Sequence, residues 1–123
     1  PEAPRHSTVM AIIYKIFRAE EYEAFVREGT TLGAPVDLED GYIHTSTGDQ
    51  VAETAARHFA GESGLMLIAL DGDALGRDLK WEPSRGGALF PHLYRPLRTD
   101  DVLWARDLPL TEGGHDVLEV LAR

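Results

Sequence analysis

Leu65-Met66-Leu67-Ile68-Ala69-Leu70 is an unbroken apolar run, bounded by Gly64 on one side and by Asp71-Gly72 on the other. It reads as a central strand covered on both faces. Upstream, 49–60 predicts a helix with Val51, Ala55 and Phe59 as its inner stripe and Gly61 as its stop. Ser46 or Thr47 stands ready to cap it. Thr47 has Gln50 three residues on, the spacing of a capping box, and a cap is the favoured role for Ser46. Before that helix, Gly41-Tyr42-Ile43-His44-Thr45 reads as a short strand and 33–40, with Pro35, as a loop. Residues 19–28 predict a helix with Tyr22, Phe25 and Val26 on one face and Gly29 as its stop. Ala11-Ile12-Ile13-Tyr14-Lys15-Ile16-Phe17, rich in β-branched and aromatic residues, predicts a buried strand. Downstream, 78–82 and Val102-Leu103-Trp104-Ala105-Arg106 predict strands, and 116–122 a short amphipathic helix or tail. Strand, helix, strand, helix, then mostly strands is an α+β order, with helices on a mixed sheet.

The 123 residues, 43% hydrophobic and 27% charged, suit one soluble domain large enough to bury a core. Residues 11–123 are read as that domain and the polar stretch 1–10 as a loosely attached tail. There is no cysteine, so disulfides, thiolate metal sites and a cysteine nucleophile are excluded. That usage is compatible with a reducing, cytoplasmic setting. No apolar run approaches the roughly 20 residues of a membrane helix, and no membrane partner is expected. A net charge of −9 argues against a grip on extended nucleic acid. The stretch 77–98 departs from that balance. Its Arg77, Lys80, Arg85, Arg95 and Arg98 outnumber Asp78 and Glu82, so it carries a net +3. A small basic region on an acidic chain suits a small anionic ligand, or serves internal ion pairs.

Three constellations carry chemistry. In Asp40-Gly41-Tyr42-Ile43-His44-Thr45-Ser46, strand alternation sends Ile43 to the core and sets Tyr42, His44 and Ser46 on the other face, just before a helix N-terminus. In Trp81-Glu82-Pro83-Ser84-Arg85-Gly86-Gly87, Arg85 has the planar fork for a phosphate or carboxylate. There the Gly pair permits close approach of a ligand, and Glu82 is an acid/base candidate; a tight turn with a Glu82–Arg85 ion pair is the plainer alternative. In Phe90-Pro91-His92-Leu93-Tyr94-Arg95-Pro96, His92 and Tyr94 share a face if the run is extended, while the prolines disfavour interior sheet pairing. His44, His58 and His92 lack a recognised metal-ligand spacing, so no metal site is assigned. Neither Ser46 nor Ser84 lies in a nucleophile elbow.

These segments resemble a bacterial family known as domain of unknown function 952. The likeness runs over about residues 11 to 110. It rests on Ile13-Tyr14-Lys15-Ile16, Asp40-Gly41-Tyr42-Ile43-His44-Thr45-Ser46, Arg57-His58-Phe59-Ala60-Gly61, and the block from Leu79 to Tyr94. The resemblance implies an ADP-ribosyltransferase-like fold: a mixed, split sheet with two main helices and a cleft for NAD. In that wider group a His-x-Ser/Thr on an early strand contacts an NAD ribose, and His44-Thr45-Ser46 is similar to it. The late-strand Glu of the group's transferases has no clear counterpart here, Glu82 and Glu112 being candidates by chemistry alone.

The expected site is therefore His44 and Glu82 as catalytic groups, with His44, Ser46, Trp81, Ser84, Arg85, Gly86, Gly87, His92 and Tyr94 binding a small anionic ligand. NAD is the candidate substrate. The activity expected is glycosyl (ADP-ribosyl) or phosphate transfer; a non-catalytic module binding a small metabolite is the alternative.

Overall fold

The computed structural model describes residues 11–123; the tail expected over 1–10 lies outside them. In chain order the elements are β1 (Ile12–Arg18), α1 (Ala19–Glu28), β2 (Thr30–Thr31), α2 (Pro35–Asp40), β3 (Ile43–His44), β4 (Ser46–Thr47), α3 (Val51–His58), β5 (Leu65–Asp71), β6 (Leu79–Pro83), β7 (Leu89–Leu93), β8 (Leu97–Arg98), β9 (Val102–Leu108), β10 (Leu110–Thr111), β11 (Gly114–His115) and α4 (Val117–Leu121). Class α+β is what the sequence implies and what the chain forms.

A four-stranded sheet in the order β4-β1-β5-β9 divides the molecule. β1 and β5 pair along seven residues, from Ile12 opposite Asp71 to Arg18 opposite Leu65. Alternation along β1 then feeds two cores. Ile13 and Phe17 pack with Phe25 of α1, Ile43 of β3 and Leu93 of β7. Ile16 packs with Val51 and Ala55 of α3 and with Val117 and Val120 of α4. Burial on both faces is the reason β1 and β5 read as continuous apolar runs. Each fully buried Phe, Leu or Ile contributes about 1.5–3 kcal/mol. A second sheet, β3-β7-β6, closes the first core with Leu79, Ile43 and Leu93.

Every ladder among the described residues is antiparallel, so the mixed sheet expected from the element order is corrected. The segment between β1 and β5 folds back through three helices and short strands instead of one crossover helix, and delivers β5 antiparallel to β1. The split into separate sheets does form.

The stretch 33–40 is a helix from Pro35, not a loop. Pro35 occupies the first turn, where its missing N–H is no loss, and Gly41, at φ 86°, ends the helix. Six residues are too few to show helical periodicity. The helix expected over 49–60 is shorter, Val51–His58, and Ser46 does not cap it. Its Oγ instead lies 2.8 Å from Thr54 Oγ1. Thr47 donates its main-chain N–H to Gln50 Oε1 at 3.0 Å, half of the expected box.

Pro91 lies in β7, the central strand of its sheet, against the expectation that it would avoid interior pairing. β3 ends at His44 opposite His92, so the ladder is leaving as Pro91 is reached. Pro91 contributes only its carbonyl, which accepts the Thr45 N–H at 3.2 Å and the Thr45 hydroxyl at 2.6 Å.

Candidate functional site

The site is organised by a residue the sequence reading left in a loop. Asp37, on α2, has a fully buried side chain that gathers four donors. Oδ2 accepts from Lys15 Nζ at 2.8 Å and from the Ala34 N–H at 2.7 Å. Oδ1 accepts from the His44 N–H at 3.0 Å and lies 2.6 Å from His44 Nδ1. Burial alone would raise this carboxyl. The hydrogen bond from His44 and the charge and hydrogen bond of Lys15 outweigh it and hold the group at about 2, below its ordinary 3.8.

His44 is clamped on its other side too, with Nε2 2.9 Å from Asp40 Oδ2. Carboxylates only accept, so both contacts form as hydrogen bonds together only when the ring carries both protons. Gly33 makes room for the arrangement. Its φ is +102°, and a Cβ there would collide with the Asp37 carboxylate.

A depressed carboxyl stabilises the fold fully above its ordinary value of 3.8, and the contribution is lost as pH falls through 2. The shift corresponds to about 2 kcal/mol. Urea unfolding between pH 5 and pH 2 should show the native protein losing about 2 kcal/mol more than Asp37→Asn; equal losses would refute it.

His92 forms a second pair. Register places it between His44 of β3 and Lys80 of β6. Its side chain is buried, and Nδ1 donates to Glu82 Oε1 at 2.7 Å, which leaves Nε2 as the acceptor nitrogen of that tautomer. Tyr94 donates its hydroxyl to the same Glu82 oxygen at 2.7 Å. The hydrogen bonds from His92 and then Tyr94 lower the Glu82 carboxyl, and the bond to Glu82 pushes the Tyr94 phenol up to about 12. Tyr42 stacks on His92 with ring centres 4.1 Å apart and tilts against His44 at 4.6 Å. The two imidazoles themselves stand 5.6 Å apart.

Of these groups Lys15, Asp40, His44 and His92 border a cavity of about 790 Å³. His44, Ser46, Ser84 and His92 of the expected set line it, as do Lys15, Arg18 and His58, with Tyr14, Phe59 and Phe90 giving aromatic surface. Arg18 is held by Glu62 at 2.8 Å and lies 4.9 Å over the Phe59 ring.

The remaining expected residues stand elsewhere. Glu82 does not line the cavity and reaches it only through His92. Tyr94 borders a neighbouring hollow with Tyr42, Leu38 and Pro96. Trp81 alternates to the face opposite Glu82 and is exposed. Gly86 and Gly87, at φ 68° and 82°, form the exposed turn joining β6 to β7. The Arg85 backbone opens that turn, and its side chain lies outside the described residues.

Lys15 and Asp37 are the residues sequence reasoning missed. The signals were present: a lone cation inside an apolar strand needs a buried partner, and an acid two residues after Pro35 suits a helix first turn.

The architecture defines a small α+β domain with a cleft between two antiparallel sheets. The model of a family described as protein of unknown function (DUF952) matches residues 16–105, and the chain belongs to that family. The chain is similar to protein CC0527 from Caulobacter crescentus in its crystal structure. The identity is 48%, over 91% of this chain and 99% of that one, with a TM-score of 0.87. The solution structure of CC0527 matches with 48% identity over 91% and 97% of the two chains and a TM-score of 0.80. A crystal structure of a double mutant of CC0527 matches with 46% identity, over 91% and 99%, at a TM-score of 0.87. A comparison with curated proteins gave no match. Among the described residues, no helix is long and apolar enough to cross a membrane.

Proposed function

We propose that the cavity binds a small anionic, nucleotide- or NAD-like ligand and that the protein transfers its glycosyl (ADP-ribosyl) or phosphate group. One observation carries the reading: His44-Thr45-Ser46 and Ser84 with His92, some 40 positions apart in the chain, line the same cavity. The reading takes the two sheets flanking this cleft as an ADP-ribosyltransferase-like arrangement. Lys15 and Arg18, ion-paired with Asp37 and Glu62, are the cations in the cavity wall that a phosphate would meet, and Tyr14, Phe59 and Phe90 supply apolar surface for a ring. Acid/base work falls to His92, oriented by Glu82 in the way a carboxylate orients a catalytic imidazole.

Thermal unfolding with NAD, ADP-ribose and nucleotides tests the binding half. A hundredfold excess over Kd should stabilise the fold by about 2.7 kcal/mol, which is roughly 10 °C in Tm for a chain of this size. No shift with any of them at millimolar concentration would overturn the reading.

A specific observation favours the non-catalytic alternative. The Glu82 carboxylate is occupied by His92 and Tyr94 and does not face the cavity. Prolonged incubation with NAD separates the two readings: free nicotinamide accumulates with a transferase, and stabilisation without turnover marks a binding module.

A further inference from the structure

Hydrogen-bond direction along β1 alternates, and two bonds fix its phase. The Gly72 N–H donates to the Ala11 carbonyl at 2.8 Å, so Ala11, Ile13, Lys15 and Phe17 turn their main-chain groups toward β5. The Arg18 N–H goes the other way, to Glu21 Oε1 at 2.9 Å, so Ile12, Tyr14, Ile16 and Arg18 face the β4 edge. β4 pairs with β1 only at Ile13 and Tyr14. Continuing the register would place His44 opposite Ile16, but the His44 N–H is diverted to Asp37 at 3.0 Å. The sheet splits at this point.

Ile16 is left with an N–H and a C=O on an open edge and, among the described residues, no partner for either on that side. The residue is only 5% exposed and lines the cavity. Buried main-chain groups are almost always paired with protein, water or ligand, so a donor–acceptor pair left open inside a cavity marks a recognition element.

We infer that the Ile16 main chain reads the planar amide edge of the cavity's ligand, its N–H donating to a carbonyl and its C=O accepting an amide N–H. The length of the opening selects the ligand class. Tyr14 is already paired with Ser46 and the Arg18 N–H is spent on Glu21, so one residue of ladder is free. An added peptide strand needs several such pairs; one pair fits one amide. A primary carboxamide on an aromatic ring and the lactam edge of a nucleobase share this chemistry. Tyr14, Phe59 and Phe90 line the same cavity for the attached ring. The inference rests on the proposed function for the identity of the cavity as a ligand site, and goes beyond it in naming the feature the ligand must carry.

Amide-resolved NMR and hydrogen exchange on the intact chain test it. In the free protein the Ile16 amide should exchange at least tenfold faster than those of Lys15 and Phe17, which the β5 ladder holds. Benzamide should move the Ile16 amide signal and slow its exchange, whereas benzoate, matched in shape but without the N–H, should do neither. Uracil in place of benzamide separates the lactam source from the carboxamide source, and either response supports the inference. Ile16 protected like its neighbours in the free protein, or unmoved by both benzamide and uracil while NAD raises Tm, overturns it and leaves the proposed function standing. No response to any of these compounds removes both.

Discussion

Asp37→Asn should lower the unfolding free energy by about 3–5 kcal/mol, the range for removing one member of a buried ion pair. That corresponds to a Tm lower by on the order of 10–20 °C. The Asp37 side chain is fully buried and the Lys15 side chain only 7% exposed, so the ammonium loses its counter-charge in a place water barely reaches. Asparagine keeps the shape, but its single oxygen can stand in for only one of the two carboxylate oxygens, so either the Ala34 N–H on Oδ2 or the His44 N–H on Oδ1 loses its acceptor along with the charge. Adding Lys15→Met should recover at least half of the loss, because it removes the buried charge that Asp37→Asn leaves unpaired. Chemical denaturation of the three proteins measures this. A loss under about 1 kcal/mol for Asp37→Asn would refute the central role given to the carboxylate.

Gly33→Ala should cost about 3 kcal/mol or more. A non-glycine residue at such a φ carries roughly 1–3 kcal/mol of strain. The new methyl group must also displace the Asp37 carboxylate, which lies where the Cβ would stand. The variant therefore damages the contacts of Lys15 and His44 without touching either residue. The His44 ring signals in NMR should move along with the drop in stability. A protein within 0.5 kcal/mol of the parent, with His44 unmoved, would refute the arrangement.

Much of the frame could be read from residue order. The apolar runs 11–17 and 65–70 predict strands covered on both faces, and β1 and β5 pair at the centre with a core on each side. The stop at Gly29 matches a left-handed glycine, at φ 80°. The alternation of Tyr42, Ile43 and His44 correctly sends Ile43 to the core. Strand direction was not readable, since an apolar run buries equally well beside a parallel or an antiparallel neighbour. Nor was α2, because six residues complete fewer than two turns. The Gly86-Gly87 pair, read as a ligand approach, has its φ values demanded by a hairpin turn.

Local pattern by itself determined the class, the two-sided central strands and the shared face of His44 and Tyr42, because alternation and turn chemistry act over a few residues. Tertiary structure decided which distant groups meet. Lys15, Asp37 and His44 are joined, His92 is tied to Glu82, and Ile16 is left open where β4 departs. The physical reason is that a buried charge takes whichever partner the packing brings within 3 Å. That choice depends on where β1, α2 and β3 come together, and chain order carries no record of it.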